Sequence, residues 1–278
     1  MLRAAFALGS LLLLSPGARG QAGADGSVPP PGLFTEPPMH LAFDAYAAGL
    51  NVIRLNVAVE LSQHGYRVDV AYHTTGLFGA VISAQTDTWV TGDWSPEGVA
   101  PLRFYSYGTL RGRPRRTLID YLSGQPQVKI LEPPDDDRDP VPANEQRDTI
   151  DTLSAMALLV RELARTGHCD GHATTFDGRR LSSIAVHDAG TVVLERDSSS
   201  IFTGPAHRCD FEGRQLAGFV HDVDREQLIR PQHGSAWLAA IASGEPLLPV
   251  RMSFHTRFFG DATMYLTEAN RVGEAIPR

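Results

Sequence analysis

Residues 53–73 read Ile-Arg-Leu-Asn-Val-Ala-Val-Glu-Leu-Ser-Gln-His-Gly-Tyr-Arg-Val-Asp-Val-Ala-Tyr-His, and their alternation decides the fold class. Ile53, Leu55, Val57, Val59 and Leu61 are separated by Arg54, Asn56, Ala58 and Glu60. That is a period of two, the mark of a strand with one buried face. His64-Gly65 then turns the chain, and Tyr66, Val68, Val70 and Tyr72 resume the same rhythm against Arg67, Asp69 and Ala71. Two such runs joined by a short polar link predict a β-hairpin.

The pattern extends towards the C-terminus. Gly76 and Gly79 predict a bend or bulge, after which Val81–Trp94 reads as strand. Leu102–Tyr107, Arg115–Tyr121 and Gln127–Leu131 are shorter strands, broken by Gly108, Gly112 and Pro114. An acidic, Pro-rich connector at 132–147 follows, in which four prolines exclude regular structure. Asp135, Asp136, Asp137 and Asp139 lack the glycine and terminal Glu of a calcium loop, so they read as a solvated loop. One helix is predicted: Ile150, Leu153, Met156, Ala157, Val160, Leu163 and Ala164 recur at helical spacing. Asp148 or Asp151 can cap its start and Gly167 can end it. Strands then resume at Leu181–His187, Thr191–Glu195, Val250–Phe258 and Ala262–Thr267, with Asp177-Gly178 and Gly260-Asp261 as turns. Many short strands and one helix predict a mainly β protein. The expected form is a curved antiparallel sheet, an open barrel or spiral, with one main α-helix packed against it. A single domain is expected over 41–270.

The N-terminus reads as an export signal over 1–20: Arg3, the apolar run Ala4–Leu14, then the small-residue pattern Ala18-Arg19-Gly20. The apolar run is about half the roughly 20 residues that a membrane-spanning helix needs. Residues 21–40, with Pro29-Pro30-Pro31 and Pro37-Pro38, read as an extended mature tail. A periplasmic location and no transmembrane anchor in the mature protein are therefore expected. The chain's formal charge is −7, and losing Arg3 and Arg19 with the signal takes it to −9. A surface of that sign repels phosphate backbones, so general nucleic-acid binding is not expected.

Cys169 and Cys209 both fall in the mature part. In an oxidising compartment an isolated pair is most simply one disulfide. Closing a loop of about 40 residues contributes roughly 4 kcal/mol in the chain-entropy account. Zinc is the alternative, because His172 follows Cys169 by three and His207 precedes Cys209 by two. His-x-Cys is, however, an uncommon partner for Cys-x-x-His. No cofactor or metal is expected.

Several segments, taken in order, resemble a known family: Tyr46-Ala47-Ala48-Gly49-Leu50, Thr149–Ala155, Thr166-Gly167-His168-Cys169-Asp170-Gly171, Phe176-Asp177-Gly178-Arg179-Arg180, Cys209, Ala217-Gly218-Phe219 and Leu248-Pro249-Val250-Arg251. The likeness, over about 41–267, is to the exported proteobacterial family termed domain of unknown function 3108. It implies paired cysteines and a periplasmic protein, and supplies no catalytic residues. A looser similarity is to periplasmic open-barrel or spiral proteins of lipoprotein carriage and envelope integrity.

Candidate ligand contacts are few. Arg111, Arg113 and Arg115 form the densest basic cluster and suit an anionic headgroup, since guanidinium grips phosphate bidentately. The other reading is a charge-protected edge, to which Pro114 points. Phe254 and Phe258 belong to an aromatic C-terminal region that either lines an apolar pocket or fills the core. No Gly-x-Ser-x-Gly elbow, His-Glu-x-x-His helix or phosphate loop is present. The expectation is a non-enzymatic envelope protein that binds a lipid, a lipoprotein or another apolar ligand. A scaffold or adaptor for other envelope proteins is the alternative. A hydrolase using a chance grouping such as His187, Asp177 and Ser183 is the third reading.

Overall fold

The computed structural model describes residues 37–96, 98–256 and 260–271. The segment read as an export signal, and residues 21–36 of the Pro-rich tail, lie outside them. The first arm runs β1 (Met39–Ala47), β2 (Leu50–Leu61), β3 (Gly65–Thr74), α1 (Gly76–Val81), β4 (Ala84–Ser95), β5 (Gly98–Leu110), β6 (Arg113–Leu122) and β7 (Gln125–Glu132). The connector leads to α2 (Thr152–Thr166). The second arm runs β8 (Gly171–Phe176), β9 (Leu181–Leu194), β10 (Gly204–Ala217), α3 (Arg225–Leu228), β11 (Gln232–Ala239), β12 (Leu248–Thr256) and β13 (Gly260–Arg271).

The 13 strands form one sheet, in the order β7-β6-β5-β4-β3-β2-β1-β13-β12-β11-β10-β9-β8. Each arm is an antiparallel meander. The first and last strands pair with each other in the middle of the sheet, Met39 opposite Arg271 and Ala47 opposite Ala262. Tight turns set the register: Ala48-Gly49 and Arg111-Gly112 both have φ in the left-handed region, the geometry that matches a two-residue hairpin to strand twist. The protein is mainly β and its sheet is not closed by hydrogen bonds, as the alternating sequence led one to expect.

The inward positions follow the period of two. Leu41 and Phe43 on β1, Val59 and Leu61 on β2, Val90 on β4, Ile119 on β6, Leu238 on β11, Val250 on β12 and Leu266 on β13 share one buried cluster. α2 adds Ala157, Val160 and Leu163 to it. This helix touches β3, β4 and β5 of the first arm and β8 of the second, so the sheet curls around it. Its ends match the expectation. The Asp151 side chain accepts from the Leu153 and Ser154 amides, and Gly167, at φ 76°, donates its N–H to Leu163 O.

Three details depart from the sequence reading. The segment after Thr75 is a short helix through Val81, not a bend leading into a strand at Val81, and β4 begins at Ala84. Phe78 of that helix packs against Ala45, Ala47, Val52 and Ala262, a satellite cluster that rewards a helical turn there. Leu181–His187 and Thr191–Glu195 belong to a single strand, β9. The sequence pattern does not reveal strands β1, β8, β10 and β11.

The connector is irregular, as expected, yet it is fastened. Asp139 N donates to Phe219 O at 2.9 Å, and His221 N donates to Asp137 O at 2.9 Å. Arg179, in the β8–β9 turn, pairs with Asp135 and donates to Pro133 O at 2.7 Å, just past the end of β7. Asp135 is thus the partner of a guanidinium. The free edge of β8 is covered by Ile150, which donates to Thr174 O and accepts from Phe176 N. An open edge of that kind would otherwise invite pairing with another chain.

Candidate functional site

The two cysteines sit at the start of the second arm, Cys169 just before β8 and Cys209 within β10. They form a disulfide with a Cα–Cα distance of 6.0 Å, and both are buried. This consumes both sulfurs that the zinc alternative required, and His172 lies exposed on β8. Beside the bridge stands Asp188 on β9. It accepts from the Cys169 N–H at 3.0 Å and the Gly190 N–H at 2.9 Å, and lies 2.6 Å from His207 Nε2. Burial opposes its ionisation, but hydrogen bonds from His207 and the two amides prevail and hold the carboxyl below its ordinary range.

His207 also lines an open cleft of about 390 Å³ beneath the β11–β12 loop. Ala206, Leu238, Ala239, Ile241, Ala242 and Leu247 supply most of its wall. Thr191, His207 and Ser243 are the polar side chains among the lining residues. Ala206, Leu238 and Ala239 belong to the main core, so the cleft is an outward continuation of it. The loop that roofs it is anchored by the nearly fully buried Glu245, which accepts from Arg271 Nε at 2.8 Å. Sequence reasoning missed this cleft, although the run Ala236–Ala242, ended by Ser243-Gly244, is almost wholly apolar.

The predicted ligand contacts are not gathered in one place. Arg111 lies in the β5–β6 turn, with φ 52°. Arg113 and Arg115 share the face of β6 that carries Thr117 and Ile119 further along. β7 pairs with β6 from Arg116 onward, so Arg113–Arg115 overhang it as a bare edge, consistent with Pro114 among them. Arg116 itself donates to Glu132 Oε1 at 2.8 Å. Phe254 lies on β12, in the second arm. It packs against the satellite cluster and borders a second open groove, of about 590 Å³, with His187, Asp210, Ser235 and His233. Phe258 lies outside the described residues.

The chance grouping of His187, Asp177 and Ser183 is not assembled. Ser183 and His187 are four residues apart on β9, about 13 Å at the usual rise of a strand. Asp177 is in the β8–β9 turn, bonded to Arg180 at 2.7 Å. In the second groove Ser235 donates its hydroxyl to Asp210 at 2.6 Å, and Arg208 engages the same carboxylate at 2.7 Å. Despite opposing burial, the Ser235 and Arg208 bonds hold Asp210 below the ordinary carboxylate range, which makes it a weak base.

Fold and site together define a barrel-like β protein with open surface clefts and an interior filled by its own helix. A crystal structure of a "Beta-barrel-like Protein of Domain of Unknown Function DUF1849 from Brucella abortus" is similar, with a TM-score of 0.53 and 13% identity. The match covers 87% of this chain and all of that one. At that identity the likeness concerns the fold alone. The chain belongs to the family described as "Protein of unknown function (DUF3108)", whose profile matches residues 42–267. No curated protein matches it.

Proposed function

We propose that this is an exported, non-enzymatic protein of the cell envelope that holds the apolar part of a lipid, lipoprotein or similar ligand in the cleft beneath the β11–β12 loop. The observation that carries this reading is the composition of the cleft: an aliphatic wall continuous with the core and a few polar groups at its margin, the usual make-up of a site for apolar ligands. Each buried methylene contributes about 0.8 kcal/mol, so a short stretch of acyl chain supplies useful affinity. The helix α2 occupies the inside of the curl, which directs a ligand to this outer cleft. Native mass spectrometry and lipid extraction of protein purified from the periplasm test the proposal. A bound amphiphile is expected, lost on Ala240→Trp, which fills the cleft from its half-buried lip. Ligand-free protein, or a ligand that survives Ala240→Trp in a folded variant, refutes it.

One observation favours the adaptor reading. A third open groove, of about 700 Å³, crosses the outer face of β1–β5, with Ala42, Ala58 and Ala71 as its floor and Trp89 and Tyr107 as a wall. Asp69, Asp87 and Glu268 outnumber the one lining arginine, Arg271, and give it an acidic balance suited to an extended basic segment of another protein. Crosslinking from this face in cells, followed by pull-down, supports the adaptor reading if a specific protein is recovered from wild type and not from Ala71→Trp.

A further inference from the structure

Two features meet at the rim of the first arm, and each is unusual for a water-facing surface. The first is α1. Phe78 turns inward onto the satellite cluster, which leaves Leu77 and Val81, one helical turn apart, on the outward side. They are 77% and 79% exposed, the highest values among the exposed large hydrophobic side chains. The second is the β5–β6 tip. Arg111, Arg113 and Arg115 are all exposed, and none has a carboxylate within ion-pair distance among the described residues. The two features adjoin directly: Arg111 N donates to Ser83 O at 2.7 Å, two residues beyond Val81. The nearby carboxylates do not neutralise the tip. Glu132 is taken by Arg116, and Asp87 stands with Tyr107 on the opposite face of the sheet from Arg113 and Arg115.

We propose that this rim is a docking edge for an anionic lipid bilayer, with Leu77 and Val81 entering the boundary between headgroups and acyl chains and the three arginines binding lipid phosphate. Charge complementarity selects this occupant. A chain of formal charge −7 is repelled by an anionic surface in most orientations. Three unpaired guanidinium groups beside two bare aliphatic side chains make one orientation attractive, the same pairing of basic and apolar groups that seats interfacial helices on membranes. Arginine suits the task because its planar fork holds phosphate bidentately while its stem stays in apolar surroundings. The edge is separate from the aliphatic cleft and does not rest on it.

The test is cosedimentation of the full chain with vesicles of equal parts phosphatidylglycerol and phosphatidylethanolamine, against vesicles of phosphatidylcholine. Binding to the anionic vesicles alone is expected, weakening at least tenfold between 50 and 500 mM salt (roughly, by screening). Replacing Arg111, Arg113 and Arg115 together by glutamine should weaken it on the order of 100-fold, about fivefold for each charge near an anionic surface. The Leu77→Asn, Val81→Asn pair should weaken it about tenfold while leaving the salt dependence intact, and provides a second route if the arginine variant misfolds. An environment-sensitive dye on Leu77→Cys should shift to the blue on binding. No binding to anionic vesicles at low salt, or binding indifferent to both sets of substitutions, overturns the proposal. Loss of vesicle binding by Ala240→Trp with retention by the arginine variant would also overturn it, since that assigns the lipid to the cleft. A cleft that proves empty while vesicle binding follows the rim variants sinks the cleft reading alone.

Discussion

Removing the Asp151 carboxylate should separate the two jobs that this residue performs. Asp151 is fully buried at the start of α2. Its Oδ1 accepts from the Leu153 N–H at 3.0 Å and the Ser154 N–H at 2.9 Å, and its Oδ2 accepts from the Ser154 hydroxyl at 2.5 Å. Tyr66, stacked on Trp94, donates to Ser154 Oγ at 2.7 Å and so ties the helix start to β3. Asp151→Ala loses an N-cap, about 1 kcal/mol. It also strands buried donors on Ser154, roughly 1–3 kcal/mol more. The sum, about 2–4 kcal/mol, corresponds to a fall in Tm of roughly 5–15 °C for a domain of this size. Asp151→Asn keeps an oxygen for the two amides and can reverse the bond to Ser154, so it should cost less than about 1 kcal/mol near pH 5. The pH dependence has a definite sign. Burial raises the Asp151 pKa above its unfolded value despite the hydrogen bonds that favour ionisation. Stability linked to the protonated form is therefore fully present below the unfolded value, near 3.8, and is lost as pH rises towards the folded value. Asp151→Asn does not titrate, so it should gain on wild type as pH rises from about 4 to 8. Thermal unfolding followed by circular dichroism across that range measures both effects. Equal losses for the alanine and asparagine variants, or a wild type that gains on the asparagine variant with rising pH, would refute the argument.

Two further perturbations address the closure of the sheet. Replacing Cys169 and Cys209 by serine opens a loop of sequence separation 40 and should cost about 4 kcal/mol in the chain-entropy account. Denaturant unfolding with and without a reductant checks it: the variant should match reduced wild type. Arg179→Ala removes the pair with Asp135 and the bond to Pro133 O across the seam, at a cost of about 2 kcal/mol for a half-sheltered charge-assisted contact. Hydrogen exchange should quicken in the connector and the β8–β9 turn first, and uniform acceleration across the sheet would argue against a local clasp.

Strands with clean alternation were legible from sequence. β2 and β3 carry a β-branched or aromatic residue at nearly every second position, because one face meets the core and the other water. β10 hid because His207, Arg208, Asp210, Glu212 and Arg214 serve an outer face crowded with ion pairs, while Ala206, Cys209 and Ala217 supply a small-residue inner face. A register shift between His207 and Cys209 breaks the period of two at the point where the cysteine must meet Cys169. α1 was lost because Gly76 and Gly79 are read locally as chain breakers. The satellite cluster that accepts Phe78 is built from β1, β2 and β13, and β13 lies nearly two hundred positions away (roughly, in residue number). The cleft required knowing that Ile241 and Leu247 fold back over Ala206, a tertiary fact that no spacing rule carries.

The placement of the chain ends in the sheet bears on where a ligand can lie. Because β1 pairs with β13, the seam falls between β7 and β8, at the two ends of the crossover that contains α2. A sheet curled this far around nothing would leave an apolar trough open along that seam. Here the crossover fills the trough: Ala157, Val160 and Leu163 take up the inward faces of both arms, and Arg161 lies 4.6 Å over the Trp94 ring. Admitting an acyl chain to the interior would mean withdrawing α2, which exposes its buried face together with the Tyr66–Ser154–Asp151 network. Stranding that network costs several times the roughly 0.8 kcal/mol that each buried methylene returns. Uptake by the interior is thus the expensive route and the preformed outer cleft the cheap one. If the proposed outer cleft is the binding site, a disulfide introduced to staple α2 to β5 should leave the amphiphile recovered by lipid extraction unchanged.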